Sequence, residues 1–450
     1  PIAVEDGKEG VQVDGSYYQH GKQQAIASYG RVFAGNSVNA AYYLRDTEYA
    51  LPKAQLDILV SYLKDTFLKT IRGSFYDFNV RGRGISRQDS LNAHVSGMVN
   101  KIKMFNRENS AYWEASTWRT SHQKPANYQI EPSNTVYWKS GYTLQVRPQY
   151  TFSVQTASVR TLRTERGNNE NVLGKFLSDG ATNIQRSGSE YANIMPLWEW
   201  DKIPGTTSRD YADDNGSTIK KEWGIPGTTK FVGGVSDGVY GASAYDLDYD
   251  SVQAKKAWFF FDKEVVCLGA GINSASSQVI TTTINQQNQV GNWYRINQFQ
   301  EKKEVSGKVF KSWFNHGVQP HDASYAYVVV PDIGAAAMQK YPLDAIKVIQ
   351  NTKAIQAVMH NRLSIMQVVF YQAGELSYDD IIVKVDKPCI IQVKDLNAIN
   401  PLIFIADPTQ ENSKVRIEIK TPKLKSSKII TCNLPVGALA GSTLKYNISN

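Results

Sequence analysis

In the stretch LPKAQLDILVSYLKDTFLK, residues Leu56, Leu59, Val60, Leu63 and Phe67 fall on one stripe at helical spacing, and Pro52 suits a first helical turn. Leu91, Val95, Met98, Val99 and Ile102 repeat the pattern. The two stripes predict an antiparallel helix pair. Its connection, residues 72–88, is rich in Gly and Arg and is not expected to be helical. The chain is therefore expected to start helical. After about Pro132 the period changes to two, as in Tyr142, Leu144 and Val146 or Phe152 and Val154, with Gly, Asn, Ser and Pro turns between the runs. The runs WFFFDKEVVCLGAGI and YAYVVVP read as strands buried on both faces. Near Lys387 and Pro388 a fresh set of short strands begins, CIIQV, LIFIA, VRIEI and KIITC, which predicts a small terminal β-sandwich.

Composition narrows this picture without changing it. The chain has 450 residues, 42% hydrophobic and 20% charged, which suits two or three folded domains and excludes a disordered chain, a collagen and a coiled coil. No apolar run reaches the roughly 18–20 residues of a membrane helix. A formal charge of +8 is modest for this length, so a polyanion partner depends on where the charge collects. The cysteines, Cys267, Cys389 and Cys432, show no metal-finger spacing and are expected to be small buried residues. The first twenty residues lack the basic start and apolar stretch of a signal peptide.

No P-loop, dinucleotide fingerprint, HExxH or GxSxG is present, so phosphoryl transfer, nicotinamide chemistry, zinc proteolysis and the common serine-hydrolase elbow lack support. Candidate chemistry sits in four clusters. DGSYYQHGKQQAIASYG places His20 and Tyr29 nine residues apart, although either residue alone commonly serves a structural role. VRGRGISR carries Arg81, Arg83 and Arg87, forked donors suited to carboxylate or sulfate on a backbone that glycine lets approach a ligand; a solvated loop is the plainer reading. TERGNNEN offers Glu165, Asn168, Glu170 and Asn171 in what reads as a turn. LWEWDKIPGTTSRDYADD offers Glu199, Asp201 and Asp210 as hard oxygen ligands for Ca²⁺, or as a solvated acidic loop.

These segments carry a resemblance. DGSYYQHG with SYG, VRGRGISR, KEWGIPGTTKFVGGVSDGVYG, AKKAWFFFDKEVVCLGAGI, and WFNHG followed by YAYVVVP stand in the order found in polysaccharide lyase family 8, and the chain resembles its chondroitin AC lyases most. The resemblance implies an α+β multidomain chain: the C-terminal remnant of an incomplete α/α toroid over residues 1–130, a large antiparallel β supersandwich over 131–385 and a small C-terminal β-sandwich over 386–450. A family toroid has about five or six helical hairpins, so the chain resembles an N-terminally truncated member. The asparagine that neutralises the uronate carboxylate in the family would lie upstream of Pro1.

The implied activity is β-elimination at uronic acids of chondroitin sulfate or hyaluronan, with a non-catalytic glycan-binding protein, or a truncated inactive lyase on the same scaffold, as the alternative. The implied catalytic residues are His20, Tyr29, Arg83, Arg87 and Glu165. Tyr29 would donate a proton to the leaving oxygen and, when ionised, act as the base, its phenol acidified by the guanidinium groups. His20 would assist at C5 or bind the carboxylate. Arg81, Asn168 and Trp223 would bind substrate, and Glu199, Asp201, Asp210 and Tyr211 match the family's pattern for a structural Ca²⁺. No organic cofactor, nucleic acid or membrane partner is implied. A monomer, secreted or periplasmic because its substrate is extracellular, is the expectation. A hydrolase reading would need two facing carboxyl groups and leaves His20, Tyr29 and the arginines without a role.

Overall fold

The computed structural model describes residues 2–122, 130–211, 214–289 and 307–448. The chain opens on a small sheet, Val4–Glu5, Gly10–Gln12, Tyr17–Gln19 and Gln23–Gln24, where a helical start was expected. Helix α1, Tyr29–Leu44, follows. Its buried positions are Gly30, Ala34, Val38 and Ala41, a stripe of mostly small residues that hydropathy does not reveal. Smallness is required there: a Cβ on Gly30 would fall 2.1 Å from the Tyr62 hydroxyl, which donates to Ile26 O at 2.9 Å.

Helix α2, Lys53–Ser61, begins after Pro52 as expected and runs through a π-helical turn, Tyr62–Thr66, into a 3₁₀ turn, Phe67–Thr70. Leu59, Leu63 and Phe67 are fully buried, while Leu56 and Val60 are half-buried. Helix α3, Ser96–Phe105, buries Val99 and Ile102, and helix α4, Ser110–Thr120, buries Trp113, Ser116, Arg119 and Thr120. The expected pair of α2 and α3 is corrected: α3 packs against α1 and α4, and α2 lies against α1. Helix α4 was not foreseen because its buried face is largely polar. The connection between α2 and α3 is irregular, as expected. It holds a short hairpin, Ile71–Arg72 with Phe75–Tyr76, and the 3₁₀ turns Phe78–Val80 and Gly82–Ser86.

Beyond residue 132 the described residues form five antiparallel sheets; one pairs Thr207–Arg209, Val279–Asn288 and Val309–Val318, and the other four stack face to face. The first contains Ser133–Tyr137, Tyr142–Val146, Thr151–Thr156 and Asp179–Gln185, and the second runs from Val232–Ser236 through Gly241–Tyr249, Val252–Phe260 and Val265–Asn273 to Ala323–Val329. The third is six-stranded, Ile346–Asn351 to Leu444–Asn447, and the fourth contains Gly374–Tyr378, Ile381–Val385, Lys414–Lys420 and Lys428–Asn433. Tyr142 and Leu144 of the first sheet pack under the helices, and its Phe152 and Val154 pack on Trp258 and Phe260 of the second. The opposite face of the second sheet, with Phe259 and Val266, meets Val369 and Ile390 of the third. Ile391 and Ile405 of the third then meet Val383 and Ile417 of the fourth.

The middle hairpin of the second sheet is buried on both faces, as its apolar run predicts. Ala323–Val329 is only partly buried, contrary to expectation, because it forms the sheet edge. The boundary expected at 386 is also corrected. Ile365–Phe370 pairs with Cys389–Lys394, so the terminal sandwich begins near Ile346, and the Lys387–Pro388 turn joins strands within it. Cys267, Cys389 and Cys432 are free and buried.

A further aromatic core ties the arginine-bearing turns to the β region. Phe78 makes edge contacts with Tyr191 and Trp198 at ring separations of 5.0 and 5.3 Å, and Ile85 and Leu91 join the same cluster. Asp77 caps the first of these turns, accepting from Asn79 N at 2.8 Å and from the Tyr142 hydroxyl at 2.6 Å. Burial pushes the Asp77 carboxyl up to about 6, against the lowering effect of hydrogen bonds from Ser153, Tyr142 and Asn79 N. A raised carboxyl pKa favours the folded state below the unfolded value, and this contribution is lost as pH rises through about 6. Asp77→Asn should therefore gain on the parent between pH 4 and pH 8, by on the order of 1–3 kcal/mol in denaturant unfolding. A stability difference that stays constant over that range would show that the Asp77 charge is not the strained group.

Candidate active site

Three segments far apart in sequence meet at one open cleft, lined among others by Gln19, His20, Gln23, Tyr29, Arg31, Arg83, Arg87 and Glu165. His20 sits in the hairpin turn between Tyr17–Gln19 and Gln23–Gln24 at φ 55°, followed by Gly21 at φ 80°. A non-glycine residue in the left-handed region is uncommon and is held there by its surroundings. Tyr29 is the first residue of α1, fixed by the close packing of Gly30 beside it. Arg83 lies on the 3₁₀ turn Gly82–Ser86, and Glu165 comes from the loop between the third and fourth strands of the first sheet.

The Glu165 side chain is 4% exposed, and its carboxylate collects three partners. His20 Nδ1 lies 3.0 and 2.9 Å from the two oxygens, Gln23 Nε2 donates to Oε2 at 2.9 Å, and Arg83 Nη1 donates to Oε1. Gln23 also accepts from Glu165 N at 2.7 Å. Arg83 Nη1 stands 3.2 Å from His20 Nδ1 because both groups converge on one carboxylate. The carboxylate can only accept, so its two contacts with Nδ1 call for a hydrogen on that nitrogen, which leaves Nε2 as the bare nitrogen of the neutral ring.

Arg83 Nη2 donates to the Tyr29 hydroxyl at 2.8 Å, and the rings of His20 and Tyr29 meet edge to face at 4.8 Å. Arg83 Nε donates to Glu170 at 3.1 Å, and Arg87 donates to both oxygens of Glu170, from Nε at 2.6 Å and Nη2 at 2.8 Å. Burial opposes the Arg83 charge, but the hydrogen bond to Tyr29 and the charge of Glu165 outweigh it, so the guanidinium is raised above its ordinary value. The hydrogen bond from Arg87, reinforced by Arg83, holds the Glu170 carboxyl below the usual range. The arrangement offers an acid–base phenol against a fixed positive charge, and an imidazole whose orientation is set by a carboxylate.

The structure thus gathers His20, Tyr29, Arg83, Arg87 and Glu165. Gln23 and Glu170 belong to the same network; Glu170 stood in the TERGNNEN cluster without an expected role, and Gln23 was not singled out. Trp223, 45% exposed and at φ 65°, stands edge-on to His20 at 5.3 Å with the Arg83 guanidinium 5.5 Å from its ring. Arg81 touches the cleft wall, but its guanidinium is buried, donates to Ala27 O and lies 5.1 Å from the Tyr76 ring. Burial lowers it to about 10, so it acts as a brace where a sugar contact was expected. Asn168 is exposed at φ 54° in the turn after Glu165 and does not line the cleft.

The acids expected to bind metal converge on a lysine. Lys202 Nζ lies 2.7 Å from Asp210, 3.3 Å from Glu199 and 3.7 Å from Asp201, and Lys311 also pairs with Glu199. Asp201 accepts from Tyr211 N at 2.6 Å, while the Tyr211 hydroxyl turns to Asp250 at 2.7 Å. Among the described residues no three His, Cys, Asp or Glu side chains surround a single metal position. The donors are nevertheless hard oxygens, and burial raises the Asp201 carboxyl. In chemistry the set fits Ca²⁺; in arrangement it holds an ammonium.

Known proteins match along this whole organisation. Models of the polysaccharide lyase family 8 N-terminal alpha-helical domain, super-sandwich domain and C-terminal beta-sandwich domain cover residues 2–120, 132–289 with 286–342, and 347–416. A chondroitinase-AC from Pedobacter heparinus is 44% identical, the alignment covering 99% of this chain and 70% of the relative. A hyaluronate lyase from Thermasporomyces composti is 23% identical over 94% of this chain and 65% of its own. A solved chondroitinase AC lyase, studied through enzyme–oligosaccharide complexes, superposes with a TM-score of 0.94 at 44% identity, covering 99% of this chain and 73% of that one. A Streptomyces coelicolor chondroitin AC lyase shares the fold, with a TM-score of 0.81 at 19% identity over 99% of this chain and 72% of that one.

Trp223 owes its position to Gly167, where a Cβ would stand 2.9 Å from the indole. Gly167→Ala should displace the ring and raise the KM for an acidic oligosaccharide by roughly 3- to 10-fold, with the melting temperature within about 2 °C of the parent. An unchanged KM would remove Trp223 from the substrate surface.

Proposed function

Since the chain belongs to polysaccharide lyase family 8, we propose that its cleft cleaves chondroitin sulfate or hyaluronan by β-elimination at the uronic acid, through Tyr29, His20 and Arg83. The protein is a polysaccharide lyase of the glycosaminoglycan-degrading kind. The observation that carries the residue roles is the hydrogen bond from Arg83 Nη2 to the Tyr29 hydroxyl at 2.8 Å, beside an imidazole held by Glu165.

Elimination takes the proton from C5, forms the C4–C5 double bond and expels the 4-oxygen, which must gain a proton. In this reading the ionised Tyr29 oxygen receives the C5 proton and then delivers it to the leaving oxygen. The enzyme returns to its starting protonation state and no water is consumed. Arg83 places positive charge against the Tyr29 oxygen, which stabilises the phenolate that takes the C5 proton, and the same field favours an acidic sugar in the cleft. His20, with Nδ1 turned to Glu165, presents Nε2 to the uronate carboxylate; when protonated it neutralises that charge, which is what makes the neighbouring C5 proton removable. The working form is proposed to be a monomer, secreted or periplasmic.

We also assign Ca²⁺ to Glu199, Asp201 and Asp210, beside Tyr211, as a staple between loops. It would displace the Lys202 ammonium and takes no part in the elimination.

The diagnostic product is an unsaturated uronate, whose conjugated double bond absorbs ultraviolet light where the substrate does not. Tyr29→Phe removes one oxygen and almost no contact area, so turnover should fall by at least roughly 1,000-fold while oligosaccharide binding stays within a few fold. A variant retaining a tenth of parental turnover would exclude Tyr29 as the acid. For the metal, millimolar Ca²⁺ should raise the melting temperature of the parent by linkage, and Asp201→Asn should abolish that rise without changing the rate of folded protein. Immediate loss of activity on chelation, with the fold intact, would contradict a staple role.

A further inference from the structure

We propose that Glu170 is the positioning residue that aims the Arg83 guanidinium at Tyr29, an inference that rests on the lyase reading of the cleft. Each nitrogen of Arg83 has its own partner: Nη2 the Tyr29 hydroxyl at 2.8 Å, Nη1 the Glu165 carboxylate and Nε the Glu170 carboxylate at 3.1 Å. A guanidinium is planar and rigid, so anchoring two of its nitrogens fixes where the third points. Glu165 alone supplies one anchor, about which the fork can swing. Glu170 supplies the second, at Nε, and leaves Nη2 directed at the phenol oxygen.

Glu170 is equipped for this task. It does not line the cleft, whereas the two arginines it holds do. Arg87 grips both of its oxygens at 2.6 and 2.8 Å, which fixes the carboxylate in orientation and in charge. Its backbone is set by a tight turn in which Glu170 N donates to Gly167 O at 2.9 Å and Asn168 and Asn169 take φ of 54° and 61°. Asparagine adopts that region more readily than most residues, which gives Asn168 a role in the turn. Asn171 closes the unit, donating from Nδ2 to Glu165 O at 2.9 Å and from N to Ser86 Oγ at 3.0 Å. One loop of the β region thereby carries both anchors of Arg83 and is tied to the 3₁₀ turn that bears it. Arg87, Glu170, Arg83 and Tyr29 form a chain of contacts in which the outer pair sets the inner one.

The test separates positioning from sugar binding and from general support. Glu170→Ala should lower kcat on a defined chondroitin tetrasaccharide by roughly 10- to 100-fold, with KM within about threefold and an unchanged melting curve. In an Arg83→Lys background, where no planar fork remains to be aimed, adding Glu170→Ala should cost less than about twofold more. A crystal structure of Glu170→Ala should show Arg83 Nη2 moved beyond hydrogen-bond reach of the Tyr29 hydroxyl. The proposal is overturned if kcat stays within twofold, if the loss falls on KM alone, if the two substitutions act additively, or if the 2.8 Å contact survives the truncation. Absence of an ultraviolet-absorbing product from the parent would instead defeat the lyase reading, and the crystallographic distance would still decide the role of Glu170.

Discussion

A buried carboxylate is the constraint on which this site depends. Glu165 has almost no access to water, and an ionised carboxyl in that position is tolerable only if its oxygens are met by charged and hydrogen-bonding partners. The partners come from two segments of the helical region: Gln23 and His20 from a hairpin, and Arg83 from a 3₁₀ turn. Removing any one would leave the others around an incompletely paired charge, so the hairpin, the turn and the β region are held to one geometry. Tyr29 is fixed from the other side, by the close approach of Gly30 to Tyr62. Alignment of the candidate catalytic groups and the joining of two domains therefore rest on the same contacts.

The arginines illustrate how the energetics divide. Arg83 is 10% exposed in its side chain and shared among a phenol and two carboxylates, so its charge acts over short distances in a site with little water. Arg87 is 49% exposed and spends its fork on Glu170. Arg81, four residues after the buried Asp77, is used on a main-chain carbonyl and the face of a tyrosine. Three arginines within seven residues thus have three different tasks, set by burial and not by residue type.

That division marks the limit of what the sequence discloses. The family resemblance, carried by motif order, singled out His20, Tyr29, Arg83, Arg87 and Glu165, and the fold brings these five together. Gln23 was missed, and Glu170 was named only within a turn-like cluster without a role, because their pairings span 142 and 83 residues and no local pattern encodes them. Period-two alternation located the β region, but the start of its last sandwich was misplaced, since a Lys-Pro turn inside a sheet reads like a linker. Helices α1 and α4 escaped notice because they bury Gly, Ala and polar side chains, whereas hydropathy detects large apolar ones. At the acidic loop the carboxylates were counted and Lys202, next to Asp201 in the chain, was not; in the fold its ammonium lies among them.

The central claim is that Glu165 fixes the orientation and tautomer of His20, holding hydrogen on Nδ1 and leaving Nε2 to the substrate. It is tested most directly by two-bond ¹⁵N–¹H correlation spectra of protein labelled in its histidines, with the His20 signal assigned from a His20→Gln sample. The account predicts that neutral His20 is the Nδ1–H tautomer, with an unprotonated Nε2, and that Glu165→Gln perturbs this state while the remaining histidines keep their shifts. A neutral His20 carrying its hydrogen on Nε2, or exchanging freely between the two tautomers, would contradict it.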